Sequence, residues 1–196
     1  MDDRKEEKEK GMENMKVSSF QKEVPIDEYM AACVDVDKFM KYCEQCPGFG
    51  KTWACPPFDF FQSEFWHKYS SILLYGKKIE LPPELAGKKH EKSELEKVCF
   101  DIFSSVKKSI TDELFALERT NPGSIALFAG KCDECKTCAR QQGNPCMKPE
   151  YMRHSIESLG GDVGKSIELY FGEKIEWITE GRLPDHFFLL GALLKK

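Results

Sequence analysis

Nothing in this sequence reads as an export signal or a membrane span. Export calls for a basic start, an apolar stretch and a small-residue cleavage site, whereas positions 2 to 10 are charged at every position. The longest apolar run, 187–194, falls far short of the roughly 20 residues that a spanning helix needs. A dominant sign of charge is also lacking. The 29 basic and 33 acidic side chains leave a formal net charge of −4 with no basic stripe, so neither nucleic acid nor a membrane is an expected partner. There is no internal repeat of fixed period, no pair of carboxylates and no serine, histidine and acid set that stands out. The expectation is a globular chain in the cytoplasm, a reducing compartment where grouped cysteines serve metals or redox chemistry rather than disulfides.

Cysteine is what the sequence has in excess, with nine in 196 residues. A chain of this length buries roughly 70% of its unfolded surface without covalent staples, so folding alone does not account for them. Residues 1–15 have neither period nor apolar content and are expected to form a solvated tail, leaving 16–196 as one metal-binding domain.

Hydrophobic periodicity outlines the elements. Val24, Ile26, Tyr29, Met30, Cys33, Val36, Phe39, Met40 and Cys43 recur mostly at steps of three and four, predicting one helix that starts near Pro25 and Asp27. Residues 70–81 read as a buried strand closed by Pro82 and Pro83. The apolar face of Leu95, Val98, Cys99, Ile102, Phe103, Val106, Ile110, Leu114 and Leu117 predicts a long helix stopped by Asn121-Pro122-Gly123. Residues 124–130 then read as a second strand, making a strand–helix–strand crossover. Further helices are expected at 150–159 and 162–171, and strands at 174–179 and 187–194. The fold class is α/β or α+β, with a small central sheet, flanking helices and two cysteine-rich metal-binding loops.

Seven of the nine cysteines fall in two windows: Cys43, Cys46 and Cys55, and Cys132, Cys135, Cys138 and Cys146. The second window has three cysteines two residues apart and a fourth before Pro149, like the run by which bacterial ferredoxins hold a 4Fe-4S cluster. Closely spaced Cys-x-x-Cys pairs let one tight loop wrap several metal corners, and the later cysteine closes the last. Structural zinc is the alternative, because paired Cys-x-x-Cys frameworks also make four-sulfur sites. Against zinc, such a site has no use for the middle cysteine of the triplet, and seven cysteines are three more than it consumes. A thiol redox pair is a further alternative.

The fourth ligand of the first window is open. Cys33 is the nearest cysteine, although its place on an apolar helix face also suits a small core residue. Three thiolates with an open iron are a second arrangement. A third exchanges the cysteine before proline, Cys55-Pro56, between the two clusters. Cys99, on the long helix's apolar face, reads as core. Pro47-Gly48-Phe49-Gly50 reads as a turn whose backbone N–H groups can bond cluster sulfurs and raise their potential. The aromatic group Phe58, Phe60, Phe61, Phe65 and Trp66 packs either over the first site or into the core.

Two phosphate-loop look-alikes fail by one residue each, because Leu159 and Gln45 stand where the leading glycine is required. His67, His90, His154 and His186 are scattered without ligand spacing. His154 lies just after the second window, where Arg153 and Glu157 fit an exposed helix pair at i and i+4.

The segment Gly50-Lys51-Thr52-Trp53-Ala54-Cys55-Pro56-Pro57, the Cys132, Cys135, Cys138, Cys146 run, and Arg153, Ser155, Glu157, Gly160, Asp162 and Val163 together resemble the family of predicted metal-binding proteins called domain of unknown function 2284. The likeness spans roughly residues 20 to 195 and implies metal binding. His154 stands where a proline would be expected.

The function expected is that of a 4Fe-4S protein with one or two clusters, exchanging electrons with a redox partner protein. One alternative is an enzyme that uses an open iron of the first window on a small-molecule substrate, with Lys51, Trp53 or Arg153 nearby. The other is a zinc-stapled interaction module.

Overall fold

A computed structural model of the chain describes residues 15–196. The expected tail lies outside the described residues except for Met15. The architecture is α+β: a four-stranded antiparallel sheet in the order β1-β2-β4-β3, with helices on both faces. The strands are β1 (Lys16–Pro25), β2 (Ser71–Glu80), β3 (Ile125–Leu127) and β4 (His186–Lys195). Five α-helices occur among the described residues: α1 (Ile26–Cys33), α2 (Val36–Gln45), α3 (Gln62–Trp66), α4 (Lys92–Thr120) and α5 (Val163–Phe171).

Period-two alternation assigns the two faces of the sheet. Ile72, Leu74, Phe188, Leu190, Ala192 and Leu194 pack with Tyr29, Trp66 and Ile167 on one side. Tyr75, Ile79, Phe187 and Leu193 meet Val98, Ile102, Val106, Ile110 and Leu114 of α4 on the other. β4 is apolar on both faces because it is central and covered twice. Gly191 permits the close approach of α4, since a Cβ there would lie 2.7 Å from Leu114 Cδ1 and 2.9 Å from Leu127 O.

The crossover β2–α4–β3 exists in altered form. Both strands pair antiparallel with β4, so they run parallel to each other with the last strand inserted between them. β3 is shorter than the expected 124–130 because Phe128 leaves the ladder: its N–H donates to His154 O at 2.8 Å, and it bridges to Ser155.

Three expected elements are corrected. The single helix through Cys33 and Cys43 is two helices, broken where Val34 becomes extended and pairs with Gly161. Asp35 restarts the chain as an N-cap, accepting from Lys38 N at 2.9 Å. Residues 150–159 are not a helix but a loop ending in a 3-10 turn, Glu157–Leu159. There Ser155 and Ser158 exchange side-chain bonds with each other's backbone N–H, at 3.1 and 3.2 Å, the local competition that draws serine out of helices. Residues 174–179 form no strand: Glu176 holds the segment beside β4 by accepting from Asp185 N and His186 N instead of making ladder bonds.

The turn that follows Leu159 depends on glycine. Gly160 sits at φ +89°, and a Cβ there would lie 2.8 Å from Val36 Cα. Asp35 N donates to Gly160 O at 2.8 Å, and Asp162 N to Cys33 O at 2.7 Å. The 157–161 turn is thereby fastened to the junction of α1 and α2, next to the helix that carries Cys43.

Candidate metal centre

The chain leaves β3 through Ala129 and Gly130, the latter at φ +78°, and enters the second cysteine window at once. Cys132, Cys135, Cys138 and Cys146 all line one small cavity, together with Thr52, Trp53, Ala54 and Met152. The loop is held from outside. Lys107 of α4 donates to Lys131 O at 2.7 Å and also contacts Asp133, and Lys148 donates to Glu134 O at 2.8 Å. A 3-10 turn, Ala139–Gln142, closes it.

The cavity has the chemistry of a site for an anionic, sulfur-bound group. Its lining holds four thiols together with Glu134 and Lys148. Thr52 Oγ1 is buried with no hydrogen-bond partner, a hydroxyl whose donor finds no protein acceptor. Burial pushes the Cys132 thiol up from its ordinary value. The thiols ring the cavity rather than meet: among the described residues, no three His, Cys, Asp or Glu side chains form a group that could hold a metal ion.

The first window begins at the end of α2. Cys43 lies in its last turn, and Cys46 N donates to Cys43 O at 3.0 Å just beyond it. Burial pushes the Cys43 thiol up, and the charges of Cys55, Cys46 and Glu157 add to the effect. Gly48 N–H donates to Cys46 Sγ at 3.4 Å, the backbone-to-sulfur bond expected of the 47–50 turn. Cys33 sits elsewhere. It is 2% exposed in the core beneath α1, and burial pushes its thiol up. Cys99 packs against the core under α4 as a half-buried residue.

The two windows are joined by Arg140. From the 3-10 turn just after Cys138, its guanidinium donates to Thr52 O at 2.8 Å, Cys55 O at 2.6 Å and Pro57 O at 2.5 Å. It also lies over the Trp53 ring, 5.0 Å from the centroid, while Trp53 Nε1 donates to Asn144 O at 3.0 Å. Thr52, Trp53 and Ala54 of the 52–57 loop line the second window's cavity, and Cys55 of the first window lies on the same loop.

Other sequence-based placements change. Arg153 does not pair with Glu157; it binds Glu118 of α4 through Nε and Nη2 at 3.0 and 2.5 Å. Lys51 is exposed, and Trp53 faces the second window. Phe58 and Phe60 line a cavity of about 700 Å³ beside Cys146, Trp53 and Arg140, which puts these aromatics at the second window. Phe65 and Trp66 are core residues, and Phe61 is exposed. His154 is boxed by Phe58, Phe60 and Phe65 at ring distances of 4.7, 5.6 and 5.6 Å, and its Nδ1 bonds Ala54 O at 3.2 Å. Sequence reading missed Arg140. The one available signal was a lone arginine inside a cysteine loop.

Burial pushes the His154 imidazole below its ordinary 6.5, against the opposing bond to Ala54 O. The unfolded ring therefore takes a proton first as the pH falls, so His154's contribution is complete above pH 6.5 and is lost below it. A His154→Phe variant keeps the aromatic packing, forgoes the bond to Ala54 at a cost of about 1 kcal/mol, and does not titrate. Its denaturation midpoint should fall less steeply than the wild type's from about pH 8 to about pH 5. Equal slopes would contradict a buried neutral imidazole.

The chain is thus an α+β protein whose two cysteine windows lie at the end of α2 and beyond β3. A model of the family described as predicted metal-binding protein, domain of unknown function 2284, matches residues 30–194, a span that contains both windows. The chain belongs to that family. No curated protein and no solved structure matches it. Among the described residues, no helix is long and apolar enough to cross a membrane.

Proposed function

We propose that this metal-binding chain is an iron-sulfur protein: a 4Fe-4S cluster is held by Cys132, Cys135, Cys138 and Cys146, a second is carried by Cys43, Cys46 and Cys55, and electrons pass to or from a partner. The observation that carries the reading is the single cavity lined by all four thiols of the ferredoxin-like run, with a buried, unpartnered threonine hydroxyl at its wall. The middle cysteine, Cys135, takes part in that lining, as a cluster-binding triplet requires and a zinc knuckle does not.

The cluster supplies one-electron redox chemistry. The chain's own residues position and tune it. Thr52 offers an O–H donor at the second site and Gly48 an N–H donor at the first, and donors to sulfur raise a reduction potential. Trp53, Phe58 and Phe60 limit water beside Cys146. Arg140 fastens the 52–57 loop, which bears Cys55, to the turn after Cys138.

Anaerobically purified protein is expected to show broad visible absorption that bleaches on reduction with dithionite, with a low-temperature paramagnetic signal in the reduced state. A colourless protein that is unchanged by dithionite would contradict the proposal.

A further inference from the structure

A cavity of about 740 Å³ is bounded by α2, the start of α5, the 174–179 segment and β4, and among the described residues no cysteine lines it. Its size suits a small molecule. Part of its wall is aromatic. Phe39 and Tyr42 of α2 meet edge to face at 5.8 Å, and Trp177 joins them in the lining. Tyr42 is 59% exposed and Trp177 75%, and large apolar side chains left in water around one cavity mark a binding surface.

The same lining holds three carboxylates, Glu157, Asp162 and Glu176, and among the described residues no lysine, arginine or histidine. Two of the three are already in use. Asp162 caps α5 by accepting from Lys165 N at 2.9 Å and takes Lys38 Nζ at 3.0 Å; Glu176 accepts from Asp185 N and His186 N. Glu157 differs, because its Oε2 is buried and has no hydrogen-bond partner. Such an oxygen costs stability unless a ligand's donor meets it. The turn that carries it is fixed in place: Trp66 Nε1 donates to Leu159 O at 2.9 Å, and Gly160 abuts the Val36 backbone.

The chemistry selects the occupant. Carboxylates beside aromatic rings favour a cation, through their charge and through the negative faces of the rings. A bare metal ion does not suit the site, since among the described residues no three His, Cys, Asp or Glu side chains form a group that could hold one. An unpaired acceptor oxygen calls for an N–H, which a protonated primary amine carries and a quaternary ammonium lacks.

We propose that this cavity binds a small primary ammonium compound with an apolar or aromatic body, its N–H donors on Glu157 and its body against Phe39, Tyr42 and Trp177. The assignment does not depend on whether the cysteine windows hold iron.

The test measures binding of phenethylammonium to the full chain by equilibrium dialysis, beside its uncharged counterpart 2-phenylethanol and its trimethylated quaternary derivative. Wild type is expected to bind phenethylammonium at least about ten-fold more tightly than either. Glu157→Gln is expected to abolish that preference, and Trp177→Ala to weaken phenethylammonium binding by about two- to five-fold. Because Trp177 is exposed, its truncation leaves the fold intact and reads the site even where Glu157→Gln does not fold. The assignment is overturned by no binding of phenethylammonium at millimolar concentration, by equal affinity for the alcohol or the quaternary ion, by a folded Glu157→Gln that keeps the wild-type preference, or by wild-type affinity in Trp177→Ala.

Discussion

An Arg140→Ala variant is expected to lose the metal of the first window while keeping that of the second, although Arg140 is itself a ligand of neither. Its guanidinium is the fixed donor for three carbonyls, those of Thr52, Cys55 and Pro57. Bonds from a charged donor contribute about 1.5–3 kcal/mol each, and truncation leaves the accepting carbonyls of the 52–57 loop without that donor. Cys55 then loses the anchor that fixes its backbone. Removal of an orienting partner typically weakens a metal site by about 10–100-fold, so iron per chain should fall by about half under a chelator that leaves wild type intact.

Lysine is not expected to rescue the site. Its ammonium is a point charge on a flexible stem, whereas three carbonyls spread over six residues require the planar fork of arginine. The second window should be spared because its four cysteines sit on their own loop, fastened by Lys107 and Lys148. Full retention of iron in Arg140→Ala would show that the two windows are mechanically independent.

The second large effect expected is the composition of the bound metal. Both windows lie inside the stretch matched by the metal-binding family, but family membership leaves the metal unspecified. Clusters and zinc make different demands on the thiols. One zinc uses four ligands about one centre, fewer than the seven grouped cysteines. Two clusters employ all seven cysteines and also give the Gly48 N–H to Cys46 sulfur bond a role, as a donor that tunes potential.

Much of this was legible in the sequence, for identifiable reasons. The apolar face from Leu95 to Leu117 gave α4, and the uninterrupted apolar run gave β4, because strong periodicity and double burial leave clear patterns. β1 left none. It is an edge strand on which Val24 is the one fully buried residue, so its alternation carries little hydrophobic signal. The break between α1 and α2 depends on contacts with Gly160 and Gly161, more than a hundred residues away in the chain, and local periodicity ran straight through it. The supposed helix at 150–159 failed because Ser155 and Ser158 serve each other's backbone.

The site divides in the same way. Cysteine spacing is local and readable, since a loop that wraps a metal must place its thiols a few residues apart. The groups that position those loops act over long separations: Arg140 reaches back across more than eighty residues, and the 157–161 turn docks on the junction of α1 and α2. Thr52 became notable only once its hydroxyl was seen to be buried without a partner in the second window's cavity.

The central claim is that both windows carry iron-sulfur clusters, and the measurement that tests it most directly is iron, labile sulfide and zinc per chain in anaerobically purified protein. Two 4Fe-4S clusters predict about eight irons with a matching amount of sulfide. Zinc without labile sulfide would contradict the account.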